Sequence, residues 1–166
     1  MKTKKKKNTN LVIFIFVRKN SKRIISKNLK KINNKSLIEI TIDQAKKVSN
    51  FKEIFVSTDD EKIKKIALKN NCKVINRPQK LALDNSYEWL SWKHAIKKVY
   101  NQFGSDYIFL SLPATSPLRK ISDVEIGIKK FKKSKSDILV SSTKTKNHPA
   151  FNMIEKKNKF YDLYDL

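Results

Sequence analysis

Glycine is nearly absent: Gly104 and Gly127 are the only two in 166 residues. That excludes a Walker-type loop, which needs glycines and a Gly-Lys-Ser/Thr ending. Cysteine is scarcer still. With Cys72 alone, neither an internal disulfide nor a cysteine-rich metal cluster can form. Cys72 opens the apolar run Cys72-Lys73-Val74-Ile75 and reads as a small core residue; a reducing, cytoplasmic setting is the matching expectation. Arginine is also rare, with Arg18, Arg23, Arg77 and Arg119 the only four among 38 cationic residues. A formal net charge of +23 ordinarily points to nucleic acid or an anionic membrane. The lysines, however, are spread along the whole chain, and specific phosphate or base recognition favours the planar arginine fork. The richness in Lys, Asn and Ile therefore reads as compositional bias, with a basic nucleic-acid-binding protein kept as an alternative. Long apolar runs are missing too. Lys4 to Lys7 followed by Leu11 to Val17 has the outline of a signal peptide. Its short apolar stretch runs straight into Arg18-Lys19-Asn20-Ser21-Lys22-Arg23 without a small-residue cleavage site, so it reads as a buried strand. Nothing approaches the ~20 apolar residues of a membrane span, and no membrane partner is expected.

What is present is an alternation of short elements. Leu11–Val17 is a β-branched and aromatic run suited to a strand buried on both faces. Apolar residues at 37, 38, 42, 45 and 48 have helical spacing, as do 63, 66 and 67 within Asp60–Asn70. Thr58-Asp59-Asp60 offers the latter an N-cap and acidic first-turn residues. Ser86–Tyr100 and Ser122–Lys133 read as two further helices. Glu53–Ser57, Cys72–Ile75, Asp106–Leu112 and Asp137–Ser141 read as strands two to five. The order β-α-β-α-β-α-β-α-β predicts an α/β, Rossmann-like, mainly parallel sheet with helices on both faces. Residues 1–10 are expected to be a disordered basic tail and 11–166 one nucleotide-binding domain.

Such sheets bind ligands at the carboxyl ends of their strands, so the segments after each strand are the ones to inspect. After the first come Arg18, Asn20, Ser21, Lys22, Lys27 and Asn28, a set of cations, amides and hydroxyls able to cradle a triphosphate. Taken alone, it reads more readily as a solvated basic loop. Asp59 and Asp60 read as helix-capping residues, His148 as structural, and Trp89 and Trp92 as core or interface.

Taken together, the segments resemble one family. Arg18-x-Asn20-Ser21-Lys22 with Lys27-Asn28, Phe55-Val56-Ser57-Thr58-Asp59-Asp60, Asn76-Arg77-Pro78-x-x-Leu81-Ala82-x-Asp84, Ala114-Thr115-Ser116-Pro117-Leu118-Arg119 and His148-Pro149 follow the order of motifs in the acylneuraminate (sialic-acid-type) cytidylyltransferases. The resemblance spans about residues 11 to 155 and implies the nucleotide-diphospho-sugar transferase fold. It also implies coupling of CTP to an acidic nine- or eight-carbon keto-sugar, giving a CMP-sugar and pyrophosphate. On the same resemblance, Arg18, Lys22 and Lys27 would act on the phosphates and the departing pyrophosphate. Asn20, Ser21, Asn28, Arg77 and Ser86 would hold the nucleotide, and Ser116 and Arg119 would lie on the sugar side. Mg2+ and a homodimer are implied as well.

The chain departs from the family pattern in places. A family glutamine is replaced within Leu112-Pro113-Ala114, and a family serine near the nucleotide falls at Glu88. The family's late dimerisation segment and metal-binding aspartate pair would lie past Leu166, so no metal ligand is assigned. The chain is therefore expected to be a fragment or a degenerate, non-catalytic remnant, with weak CTP binding and poor turnover.

Overall fold

The computed structural model describes residues 9–19, 21 and 24–142, and the backbone of 154–157 and 160–163. The tail residues 1–8, Asn20, Lys22 and His148 lie outside the described residues. Strand β1 (Asn10–Phe16) occupies the interior of a four-stranded sheet. Its neighbours are β4 (Phe51–Thr58) on one side and β6 (Tyr107–Ser111) on the other, with β5 (Lys73–Asn76) beyond β4. All three pairings are parallel. Residues 11–15 are at most 1% exposed, which is why this strand shows a continuous apolar run rather than an alternating one.

The alternation of Cβ direction separates two cores. Leu11, Ile13, Ile15 and Val17 meet an aliphatic layer from three helices: α1 (Leu37–Lys46), α2 (Glu61–Lys69) and α4 (Ile121–Lys133). Val12 and Phe14 face the other way, onto Phe55, Ile75 and helix α3 (Glu88–Phe103). That layer is aromatic: Phe14 stacks on Phe55 and Phe109 at centroid separations of 5.5 and 4.5 Å. Trp92 joins it against Phe16 and Phe109 while remaining partly exposed, whereas Trp89 lies mainly in solvent with the Lys93 ammonium over its ring.

Local chemistry sets the element ends. Ser36 and Glu39 form a reciprocal capping box on α1. Asp60 caps α2 by accepting from the Lys62 and Ile63 amides. The scarcity of glycine is met by asparagine: Asn33, Asn34, Asn50 and Asn71 all have positive φ, a region Asn visits at little cost. Asn33-Asn34 forms the turn between two short strands, β2 (Lys31–Ile32) and β3 (Lys35–Ser36). Asn71 ends α2 in a Schellman motif, with the Cys72 amide donating to the Ala67 carbonyl and the Asn71 amide to that of Leu68. Cys72 is thereby buried, and burial pushes its thiol up to about 11.

One expected strand does not form. Asp137–Ser141 pairs with nothing among the described residues, and Ile138 and Val140 are largely exposed. Its apolar run has strand character, but no described neighbour supplies a ladder. The last described elements, β7 (Ile154–Lys157) and β8 (Phe160–Leu163), pair antiparallel with each other. Among the described residues, no helix is long and apolar enough to cross a membrane.

Candidate nucleotide site

In the order β5-β4-β1-β6 the chain progresses to one side of β1 and then jumps to the other. The crevice belongs at the carboxyl ends of β1 and β6, where the winding reverses. A cleft of about 310 Å³ lies there. Its walls come from the segment after β1 (Val17, Arg18, Ser21, Lys27, Asn28), the segment after β5 (Arg77 to Ser86) and the segment after β6 (Pro113 to Thr115). Arg18, Ser21, Lys27, Asn28, Arg77 and Ser86, which the resemblance assigns to the phosphates and nucleotide, are thus brought together.

The main chain at Arg18 is pinned from both sides. The buried Asn28 amide donates to the Arg18 carbonyl at 3.0 Å, and the Lys19 amide donates to Asp59 Oδ1 at 2.9 Å. The guanidinium reaches across the cleft, donating from one terminal nitrogen to the Leu83 carbonyl at 3.0 Å and from the other to Asp84 Oδ1 at 2.7 Å.

Arg77 is held by the end of β4. Its amide donates to the Thr58 carbonyl, and its guanidinium to the Ser57 carbonyl (3.1 Å) and hydroxyl (3.4 Å). It also lies over the Phe16 ring, 5.7 Å from the centroid. Burial lowers its pKa, opposed by the Asp59 and Glu88 charges and assisted by Arg18; an arginine nevertheless stays protonated. Among the described residues, the Ser86 hydroxyl is buried without a hydrogen-bond partner, an arrangement that an incoming polar ligand can satisfy. The cleft lining sets two guanidiniums, one ammonium, an amide and several hydroxyls beside the carboxylates of Asp84 and Glu88, with cations in the majority around a part-buried space, a set able to serve polyanion and base-edge recognition.

Two expected residues fall elsewhere. Ser116 and Arg119 do not line the cleft. Ser116 is exposed. Arg119 turns back to staple its own loop, donating to Gln44 Oε1 on α1 at 3.2 Å and to the Pro113 carbonyl. Gln44 in turn donates to the Pro117 carbonyl at 2.6 Å. Sequence reasoning gave Gln44 no role, because this contact joins positions more than seventy apart. Asp84 closes the Asn76-Arg77-Pro78 motif, and the resemblance gives it no role. No group of three or more His, Cys, Asp or Glu gathers among the described residues, and the nearby Asp59 and Asp84 already accept from Lys19 and Arg18. The described residues thus form no ready set of Mg2+ ligands.

Comparison with known proteins fits this geometry. Residues 12–166 match the Cytidylyltransferase family. Over 143 residues the chain is 34% identical to post-translational flagellin modification protein B of Campylobacter coli, covering 85% of this chain and 61% of that protein. It is 31% identical over 143 residues to N-acylneuraminate cytidylyltransferase of Streptococcus agalactiae, covering 84% of this chain and 33% of that protein. The chain thus spans about one-third to three-fifths of the length of these relatives. A solved CMP:2-keto-3-deoxy-manno-octonic acid synthetase complexed with CTP superposes with a TM-score of 0.61 at 22% identity, over 75% of this chain and 48% of that one, and so shares the fold. On its sequence, its sheet topology and the cleft at the topological switch point, the chain belongs to the cytidylyltransferase family.

Proposed function

We propose that this chain carries the CTP-binding core of an enzyme that couples CTP to an acidic keto-sugar of the sialic-acid type, releasing pyrophosphate. The observation that carries the reading is the convergence of Arg18, Lys27, Asn28 and Arg77 on one cleft at the switch point. In the proposed reaction, the sugar's anomeric oxygen forms a bond to the α-phosphorus of CTP. The bond from that phosphorus to the pyrophosphate oxygen breaks, and the hydroxyl proton is lost to solvent or a base. Such transfer asks for positioning and charge more than for covalent help from the protein.

Arg18 and Lys27, with Lys22 on the same segment, would offset charge on the departing pyrophosphate. Arg77, held rigid by β4, and the unpartnered Ser86 hydroxyl would meet the cytosine side. Pro113, Ala114 and Thr115, rather than Ser116 and Arg119, would form the wall toward the sugar. Mg2+ as cofactor, a homodimer and a cytoplasmic setting belong to the same proposal. Pyrophosphate release with CTP, Mg2+ and a panel of eight- and nine-carbon keto acids tests it. Release that depends on one of these sugars is the expected result; release that ignores the sugar, or that proceeds as well with ATP, overturns it.

A further inference from the structure

The segment from Gln79 to Ser86 runs as a strap along the cleft. Its near end is fixed where the Arg77 amide bonds to the Thr58 carbonyl, and its far end enters α3. Within it, a short 3-10 turn covers Gln79–Leu81, and the Ser86 amide donates to the Leu83 carbonyl at 3.1 Å. Leu83 also borders a second cavity, lined by Lys19, Asp59, Gln79, Lys80 and Ala82. The strap therefore separates two spaces, and its middle is tied to the segment after β1 by both terminal nitrogens of Arg18, one on Leu83 and one on Asp84. The tie is asymmetric. Arg18 is anchored through its own backbone and that of Lys19, whereas Leu83 and Asp84 sit on an exposed loop.

We propose that Asp84 is a positioning residue that serves as a stand-in anion. It holds the Arg18 guanidinium across the cleft and yields it to the phosphates of the incoming nucleotide, which loosens the strap's tie to the segment after β1 while the Ser91 hydroxyl still holds the Leu81 carbonyl. This rests on the reading that the cleft takes a nucleoside triphosphate. A polyphosphate seated on Arg18 would lie within a few ångströms of the Asp84 carboxylate, and like charges at that distance repel. The phosphates carry more charge and more acceptor oxygens than one carboxylate, so they displace it. The cost is modest, because the pair is about one-third exposed on each side and partly screened. Asp84 thus weakens phosphate binding slightly while keeping Arg18 aimed into the cleft.

Calorimetry on the full chain tests this with sodium tripolyphosphate, CTP and cytidine against wild type, Asp84→Asn and Asp84→Glu. The expected result is tripolyphosphate and CTP binding about two- to five-fold tighter in Asp84→Asn. Cytidine should be unmoved, and Asp84→Glu should return toward wild type. In the wild-type chain, tripolyphosphate should also speed amide hydrogen exchange across residues 79–86, a readout that does not depend on the variants folding. Weaker or unchanged tripolyphosphate binding in a folded Asp84→Asn, or slower exchange in the strap, overturns the stand-in role even if wild type binds CTP. Tighter tripolyphosphate binding with no preference for CTP over ATP upholds the stand-in role and overturns the cytidylyl reading. Absence of tripolyphosphate binding in wild type overturns the proposal outright.

Discussion

The body of the sheet and its carboxyl rim are built on opposite principles. In the body, β1 presents five consecutive residues at most 1% exposed and buries no side-chain polar group. At the rim, a few residues further along the same strands, buried polar groups accumulate: Ser57, Thr58, Asp60 and Asn28. Each has a backbone or side-chain partner that fixes the start of a loop. The body resists unfolding, and the rim aims cations. The comparison also separates two arginines that the family resemblance assigns to one ligand-binding site. Arg77 is fastened to the rim with its charge left toward the cleft, whereas Arg119 spends its donors on holding its loop to α1.

The contrast predicts a split between stability and binding. The largest effect belongs to the body. Phe14→Ala removes a fully buried ring that stacks on Phe55 and Phe109 and is expected to cost about 3–5 kcal/mol, read as a lowered urea midpoint. Next comes the rim. Arg77→Ala should weaken CTP binding about 10- to 100-fold, or ~1.4–2.8 kcal/mol, with a smaller stability loss. A variant that loses stability but keeps CTP affinity would place Arg77 with Arg119 instead. Arg119→Ala is expected to cost about 1–2 kcal/mol of stability through its lost charge-assisted hydrogen bonds, and to change CTP affinity less than about three-fold. A large affinity loss in a stable Arg119→Ala protein would show that the 113–119 loop does reach the ligand.

The smallest effect concerns the cap of α1. Ser36→Ala should cost about 1 kcal/mol at neutral pH. Hydrogen bonds from the Ser36 hydroxyl and amide hold the Glu39 carboxyl below its usual 4.5. A lowered folded pKa gives stability that is present above the unfolded value and lost as pH falls through the folded one. The Ser36→Ala penalty should therefore shrink on acidification below about 4.5. A penalty constant from pH 7 to pH 3 would mean that the hydroxyl contributes only by accepting from the Glu39 amide and not by donating to the Glu39 carboxylate.

The body was legible in the sequence because burial on both faces leaves a run such as Leu11 to Val17 that no surface strand shows. Asp60 was legible as a cap because its role is local. Asp137–Ser141 has the same apolar character as a true strand and misled, since a strand exists only where a neighbour supplies a ladder, and that is not a property of five residues. The Asn33-Asn34 turn went unread because the usual glycine signal is absent from this composition. At the rim, Arg18, Lys27, Asn28, Arg77 and Ser86, which the resemblance assigns to one site, line one cleft. Ser116 and Arg119 stand outside that lining, and the surroundings of Arg119 depend on Gln44, a residue distant in sequence. The Arg18–Asp84 pair was likewise invisible, although both residues stood inside motifs, because spacing does not say which cation a carboxylate will meet.

The central claim is that this rim reads a cytidine triphosphate rather than charge alone. Titration calorimetry of the chain with CTP, ATP and GTP, each with Mg2+, tests it most directly. Buried base-edge hydrogen bonds discriminate between bases, whereas guanidiniums and ammoniums attract any triphosphate equally. The account predicts CTP bound at least about ten-fold more tightly than either purine nucleotide, a difference of ~1.4 kcal/mol. Equal affinities for all three would contradict it.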